Sequence, residues 1–247
     1  MKIVLQVQLA TILKTGAVSM ESRKIALAMF AKTLGVSRVK TRLAKSIGVE
    51  HAEEFYRMSI LALEETMTRI KTNNQDLDIY WALAEKDTSS NIMWKNFKTM
   101  WTGEGDLGER LYNISKELLS EYGAYIIIGT DSPHMPEKLI IDTMNLLKNK
   151  ANKTVVGPSV DGGFYLFASN IMFPKEVWTK VIYSQNDTLK QLLNNMDKNN
   201  FQYEFLEQLI DVDEEEDLKD LYRYLLENKN YNNENQNKLL EWIEKIV

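Results

Sequence analysis

Four short segments hold the residues best able to do chemistry. Ser37-Arg38-Val39-Lys40-Thr41-Arg42-Leu43 places three cations within five residues. Lysine supplies a mobile point charge and arginine a planar fork, a pairing suited to a di- or triphosphate. A solvated basic loop is the plain alternative, and position after the first predicted strand favours phosphate. Gly129-Thr130-Asp131-Ser132-Pro133 ends the clearest buried strand of the chain, the four apolar residues Tyr125–Ile128. A carboxylate there is placed to hold Mg²⁺ or Mn²⁺ against phosphate oxygens, the alternative being that Asp131 caps the next turn. Asp161-Gly162-Gly163 joins two strand-like runs. It reads equally as a second metal ligand or sugar-hydroxyl acceptor and as a hairpin turn. Gly105-Asp106-Leu107-Gly108-Glu109-Arg110 turns into a helix whose first N–H groups suit an anion or a base edge, although capping accounts for it nearly as well.

These residues need elements to position them. Ile25–Phe30 reads as a strand, and the basic segment 31–43 follows it. Between about Val49 and Thr72, Tyr56, Ile60, Leu63, Met67 and Ile70 step by four and three, which paints one apolar helical face. Leu77–Leu83 and Lys98–Trp101 read as strands, and Glu109–Tyr122 as a helix. Tyr125–Ile128 is a buried strand that stops at Gly129. Pro136 opens a helix running to about Asn149. Thr154–Val156 and Phe164–Ala168 are two more strands, and Phe201–Ile210 carries a late one. His134 and His51 receive no role. Asp211-Val212-Asp213 looks functional by charge, but the stronger expectation is structural, with Asp213 as the N-cap of the helix that follows. Asn228–Asn237 reads as a loop between the last two helices. Strands alternating with helices predict an α/β fold built on a mostly parallel sheet, with ligands bound beyond the carboxyl ends of its strands.

Composition sets the outer limits. At 247 residues the chain suits one large domain or at most two small ones. We expect a leader or extra segment over 1–23 and a single catalytic domain over 24–247. The 44% hydrophobic and 26% charged content is that of a globular protein. A net charge of -5 without a basic stripe argues against nucleic acid as a partner. With no cysteine and two histidines, thiolate catalysis and cysteine-bound zinc are excluded, and any metal is a hard cation on carboxylates. No apolar run approaches the roughly 20 residues that span a bilayer. The segment 1–23 reads as neither signal peptide nor anchor, with Met20 an alternative start, so the expected location is cytoplasmic.

Four motifs in one order form a pattern. Lys40-Thr41-Arg42-Leu43, Gly105 through Arg110, Gly129 through Pro133, and Gly157-Pro158 with Asp161-Gly162-Gly163-Phe164-Tyr165-Leu166 resemble the DUF2064 family of GT-A-like proteins over about residues 24–220. More distantly the pattern is similar to phospholactate and molybdenum-cofactor guanylyltransferases. The resemblance implies the GT-A, or nucleotide-diphospho-sugar transferase, fold. It implies that Lys40 and Arg42, with Arg38, Gly129 and Thr130 beside them, hold nucleotide phosphates, and that Asp131 is the metal-binding aspartate at the strand end. Gly105, Asp106 and Gly108 would lie near the base, and Asp161 near the metal or the acceptor. Asp131 and Asp161 are thus the implied catalytic and metal residues. The sequence departs from the family pattern at Leu34, Val36 and Ser37, where prolines and a glycine are usual. It departs again at Tyr183-Ser184-Gln185, where Trp-Ser-Thr is usual. The expected activity is a Mg²⁺- or Mn²⁺-dependent glycosyltransferase using a nucleotide or nucleotide-sugar donor and a small-molecule acceptor. The alternatives are a nucleotidyltransferase acting on a phosphorylated small molecule and a non-catalytic nucleotide-binding protein.

Overall fold

The structure is a computed structural model that describes residues 24–88 and 91–246. The expected leader and the alternative start at Met20 lie outside them. Seven strands form one sheet: β1 (Ile25–Ala31), β2 (Leu77–Leu83), β3 (Lys98–Trp101), β4 (Ala124–Ile128), β5 (Thr154–Pro158), β6 (Phe164–Ser169) and β7 (Glu204–Phe205). Their order is β3-β2-β1-β4-β6-β5-β7. β1, β2, β3 and β4 run parallel, whereas β6 runs antiparallel to both β4 and β5. The expected mostly parallel mixed sheet flanked by helices is therefore present.

The helices are α1 (Ala44–Ile47), α2 (Val49–Asn73), α3 (Leu107–Glu121), α4 (Glu137–Asn149), α5 (Lys175–Thr179), α6 (Thr188–Asp197), α7 (Glu215–Glu227) and α8 (Glu234–Ile243). Side chains of a strand alternate between sheet faces, and each face has its own cover. Ile25, Leu27 and Met29 of β1 and Ile126 and Ile128 of β4 join the residues of α2 and α4. Ala26 and Ala28 of β1, with Tyr125 and Ile127 of β4, join those of α3, α5 and α6. The small alanines on that second face leave room for Leu111, Ile114 and Leu118 of α3. The apolar run of β4 follows from its central place, since all five of its residues are buried.

Several expectations change. α3 begins at Leu107, earlier than expected, because Asp106 accepts a hydrogen bond from the Glu109 amide at 3.0 Å and caps the helix there. Pro136 is the N-cap of α4 rather than part of its first turn. The late strand shrinks to two residues. Past Phe205 its partner β5 ends in Pro158, which has no amide hydrogen, and the register shifts between Gly157 and Pro158. α2 has a second buried face: Ala52 and Phe55 pack with Leu218, Leu221, Leu225, Leu239 and Leu240 of α7 and α8. Asn233 caps α8 and also donates to the Ala62 carbonyl at 3.0 Å and the Thr66 hydroxyl at 2.9 Å. The expected loop 228–237 thus ends inside α8. This helical pair holds residues 211–213 against the carboxyl end of the sheet, where the Val212 amide donates to the Asp131 carbonyl at 3.0 Å.

His134 sits beneath that pair, 3% exposed and edge-on to Tyr224 with ring centroids 4.6 Å apart. Neither ring nitrogen finds a partner among the described residues. Burial pushes its pKa down to about 3. The unfolded chain takes up a proton below about pH 6.5 that the folded chain refuses. This contribution is complete above the unfolded pKa and is lost as pH falls, by about 1.4 kcal/mol per unit. Relative to wild type, His134→Phe should therefore gain about 2 kcal/mol between pH 7.5 and pH 5. Urea melts at the two values check it; a difference that does not change with pH would show that His134 ionises normally.

Candidate functional site

The strand order decides where a cleft can open. From β1 the chain moves outward through β2 to β3, then returns to place β4 on the other side of β1. Connections leave in opposite directions at the β1–β4 boundary, so the carboxyl ends part there and leave a crevice. A cleft of about 480 Å³ lies at that point. Phe30 and Ala31 of β1 and Ile127 and Ile128 of β4 form its floor. Around them stand the 32–42 loop, Tyr56, the start of α3, the β5–β6 turn, the α5–α6 loop and Asp211 with Asp213.

The ionic end of the cleft is built on Lys40. Its backbone takes φ of +45°, a left-handed conformation that is strained for a lysine. The turn sends the side chain inward, where it is 3% exposed. The ammonium lies 2.5 Å from Asp131 Oδ1, 3.5 Å from Asp213 Oδ1 and 2.5 Å from the Val212 carbonyl oxygen. Burial pushes the Lys40 pKa down, but Asp131, Asp211 and Asp213 together outweigh it and the net shift is upward. Arg42, half exposed, reaches Asp213 Oδ2 at 3.5 Å. Asp211 accepts a long hydrogen bond from Ser132 Oγ at 3.4 Å. Burial, then the Asp131 charge, drive the Asp211 carboxyl well above the usual carboxylate range, with Lys40 opposing. Burial also raises Asp213, with Lys40 opposing it and Asp131 adding to it. The cluster is short of positive charge even with Lys40 in place.

The other end is the β5–β6 turn. Asp161 Oδ1 accepts from Ser159 Oγ at 2.5 Å and from the Gly163 amide at 2.9 Å, so the hairpin reading holds and the same aspartate also lines the cleft. Gly162 has φ of +87°, and a Cβ there would stand 1.8 Å from the Asn186 carbonyl oxygen. The Leu189 amide donates to the Gly162 carbonyl at 2.9 Å, so the turn is strapped to the α5–α6 loop. Gly162→Ala meets both the backbone penalty and the clash, and should cost about 2–3 kcal/mol in a urea melt. A loss below about 0.5 kcal/mol would mean the two loops are not held together.

Of the residues singled out in the sequence, Lys40, Arg42, Gly129, Thr130, Asp131 and Asp161 line this one cleft. Arg38, Gly105, Asp106 and Gly108 are not among its lining residues. Arg38 is exposed. Gly105 takes φ of +99° and its carbonyl accepts from Arg110 Nε at 3.0 Å. Gly108 lets α3 approach the Trp178 carbonyl, which a Cβ would meet at 2.7 Å. Their segment reaches the cleft through Leu107 and Leu111. The capping role expected for Asp213 is corrected: Glu214 is the N-cap of α7, and Asp217 accepts from the Asp213 and Glu214 amides. Asp211 and Asp213 face Lys40 instead. Sequence reasoning also passed over Tyr56, whose hydroxyl donates to the Lys32 carbonyl at 2.9 Å and accepts from the Lys32 amide at 2.8 Å. That pair of bonds anchors the start of the basic loop to α2.

Among the described residues no group of three or more histidine, aspartate or glutamate side chains is arranged to hold a metal ion by itself. Magnesium is ordinarily bound through one or two carboxylates plus substrate phosphates and water, so a protein-only cage is not required. The donors here are hard oxygens, and the carboxyl groups lack compensating charge. The residues present fit Mg²⁺ or Mn²⁺ bound together with a phosphate. Among the described residues no helix is long and apolar enough to cross a membrane.

Comparison with known proteins agrees with the fold. The model of the family described as "Uncharacterized protein conserved in bacteria (DUF2064)" matches residues 66–185, in line with the resemblance carried by the motifs. No curated protein matches the chain. Among solved structures, a protein provisionally named a nucleotide-diphospho-sugar transferase, from Desulfovibrio desulfuricans G20, aligns with TM-score 0.76 at 22% identity, covering 90% of this chain and 97% of that one. The 4-diphosphocytidyl-2C-methyl-D-erythritol synthase of Anaerococcus prevotii DSM 20548 aligns with TM-score 0.51 at 15% identity, over 84% of this chain and 98% of that one. A CMP:2-keto-3-deoxy-manno-octonic acid synthetase complexed with CTP aligns with TM-score 0.50 at 13% identity, over 83% and 99%. The fold is that of the nucleotide-diphospho-sugar transferases.

Proposed function

We propose that the protein is a divalent-cation-dependent glycosyltransferase that uses a nucleotide-sugar donor and a small hydroxyl acceptor. One observation carries this reading. Two cations and three carboxylates meet at the carboxyl ends of β1 and β4, inside a cleft large enough for a small ligand. Arg42, half exposed and only loosely tied to Asp213, offers its planar fork to a donor phosphate. Lys40 is buried among carboxylates, so its part is to hold their negative charge together and keep Asp131 oriented. Asp131 and Asp213, each with a side chain about one-third exposed at 35%, are the residues that would hold Mg²⁺ or Mn²⁺, with Asp211 behind them. Such an ion supplies charge neutralisation for a departing diphosphate. Asp161, fixed by Ser159 and the Gly163 amide, is placed to accept the proton of an acceptor hydroxyl.

Nucleotidyl transfer is the second reading. It is favoured by the fold shared with two proteins whose names describe cytidine-nucleotide chemistry, and by a third cation, Lys32, at the cleft. The products separate the two. Nucleoside diphosphate released from a nucleotide sugar supports glycosyl transfer, and pyrophosphate released from a nucleoside triphosphate supports nucleotidyl transfer. A nucleotide that raises the melting temperature without turnover in either assay would leave only the non-catalytic reading.

A further inference from the structure

Resting on the glycosyltransferase reading, we infer that the acceptor is a neutral or cationic polyhydroxylated small molecule, and that phosphorylated and carboxylated compounds are selected against. The cations of the cleft are confined to one part of its lining. Its lining cations, Lys32, Lys40 and Arg42, come from the single stretch after β1. Lys40 and Arg42 are both engaged with carboxylates. The opposite end is lined by Ser159, Asp161, Tyr183, Ser184, Gln185 and Thr188. Among these residues only Asp161 is charged, and it is negative.

A phosphate or carboxylate on the acceptor would therefore meet Asp161, with no cation among the lining residues of this turn and loop to offset it. Like charges placed together in a partly dry cleft lower effective affinity, by at least about ten-fold. Hydroxyl groups have the opposite fit, because they donate to carboxylates and exchange bonds with Ser and Gln side chains. Several polar groups at this end are already satisfied internally. Tyr183 donates to the Trp178 carbonyl at 3.0 Å, and Thr188 Oγ1 donates to the Gln185 carbonyl at 2.8 Å. Asp161 itself, and the exposed Ser184 and Gln185, remain to meet an acceptor. This end is also preformed, since the Gly162 strap fixes the two loops relative to each other. A preformed site discriminates by charge without first rearranging.

The test uses the full chain, Mg²⁺ or Mn²⁺, a panel of nucleotide sugars and matched acceptor pairs: glycerol against glycerol 3-phosphate, and glucose against glucose 6-phosphate. Release of nucleoside diphosphate is followed. The neutral member of a pair should give kcat/KM at least about ten-fold higher than its phosphate ester. Gln185→Lys places a cation on an exposed loop position at this end, and should narrow that ratio by about ten-fold through the KM of the ester. Equal or faster reaction of the esters overturns the inference while leaving glycosyl transfer intact. A Gln185→Lys change that scales both members alike also overturns it, because the acceptor then lies elsewhere. No release with any donor and acceptor would instead remove the glycosyltransferase reading, and the acceptor assignment with it.

Discussion

Asp131→Asn should lower metal-dependent turnover by about a thousand-fold or more while leaving the fold in place. The size follows from the position. Asp131 stands at the end of β4, the fully buried strand at the topological switch, where developing phosphate charge and a divalent ion would meet. Removing one preorganised electrostatic partner of a transition state costs about 10²–10³ in rate. Losing the ion that such a partner holds adds to that. The amide keeps the shape of the carboxylate, and Lys40 retains Asp211, Asp213 and the Val212 carbonyl. The variant should therefore melt as a cooperative protein. Two measurements separate chemistry from folding. Product release should vanish in the variant, and so should the extra rise in melting temperature that Mg²⁺ adds to nucleotide. Undiminished metal-dependent turnover would remove Asp131 from the site.

Much of this arrangement was legible in the sequence, for reasons that can be named. β4 is buried on both faces, so its run of apolar residues had to end abruptly, and the aspartate after it stood out. The rule that ligands gather beyond the carboxyl ends of parallel strands then brought Lys40, Arg42 and Asp161 to the same place. Asp211 and Asp213 were misread because the information about them is not local. Acidic residues ahead of a helix are the usual capping signal. The partner that reassigns them, Lys40, lies 171 to 173 positions away, and its contact to the Val212 carbonyl spans 172. The second buried face of α2 was hidden in the same way. Ala52, Ser59 and Thr66 look like a polar or small-residue face until α7 and α8 cover it. Nor did spacing reveal that Lys40 faces inward: the basic run reads as open to a phosphate, whereas the left-handed backbone at this residue turns the side chain into the cluster.

That inward turn makes Lys40→Met the second large effect, and it is one of stability with a definite pH dependence. The substitution removes the buried ammonium and leaves Asp131, Asp211 and Asp213 facing one another. Removing one partner of a buried ion pair costs about 3–5 kcal/mol. Here the Asp131 and Asp213 side chains are 35% exposed, so water screens part of the loss and the lower figure, about 3 kcal/mol at pH 7.5, is expected. For a chain of this size that lowers the melting temperature by roughly 6–12 °C. The sign with pH follows from the carboxyl shifts. Asp211 and Asp213 are already raised in the folded state, and Lys40 is a charge that holds them down. Without it they rise further, so the folded variant binds protons that the unfolded chain binds only near its ordinary carboxylate pKa of about 3.9. A raised carboxyl contributes stability below the unfolded pKa that is lost as pH climbs through the folded one. The deficit against wild type should therefore be largest at pH 7–8 and shrink steadily toward pH 4. Urea melts at pH 8, 6.5 and 5 measure it. A deficit that holds constant or widens on acidification would mean that Asp211 and Asp213 do not depend on Lys40 for their charge, and the ionic end of the cleft would need a different counterion.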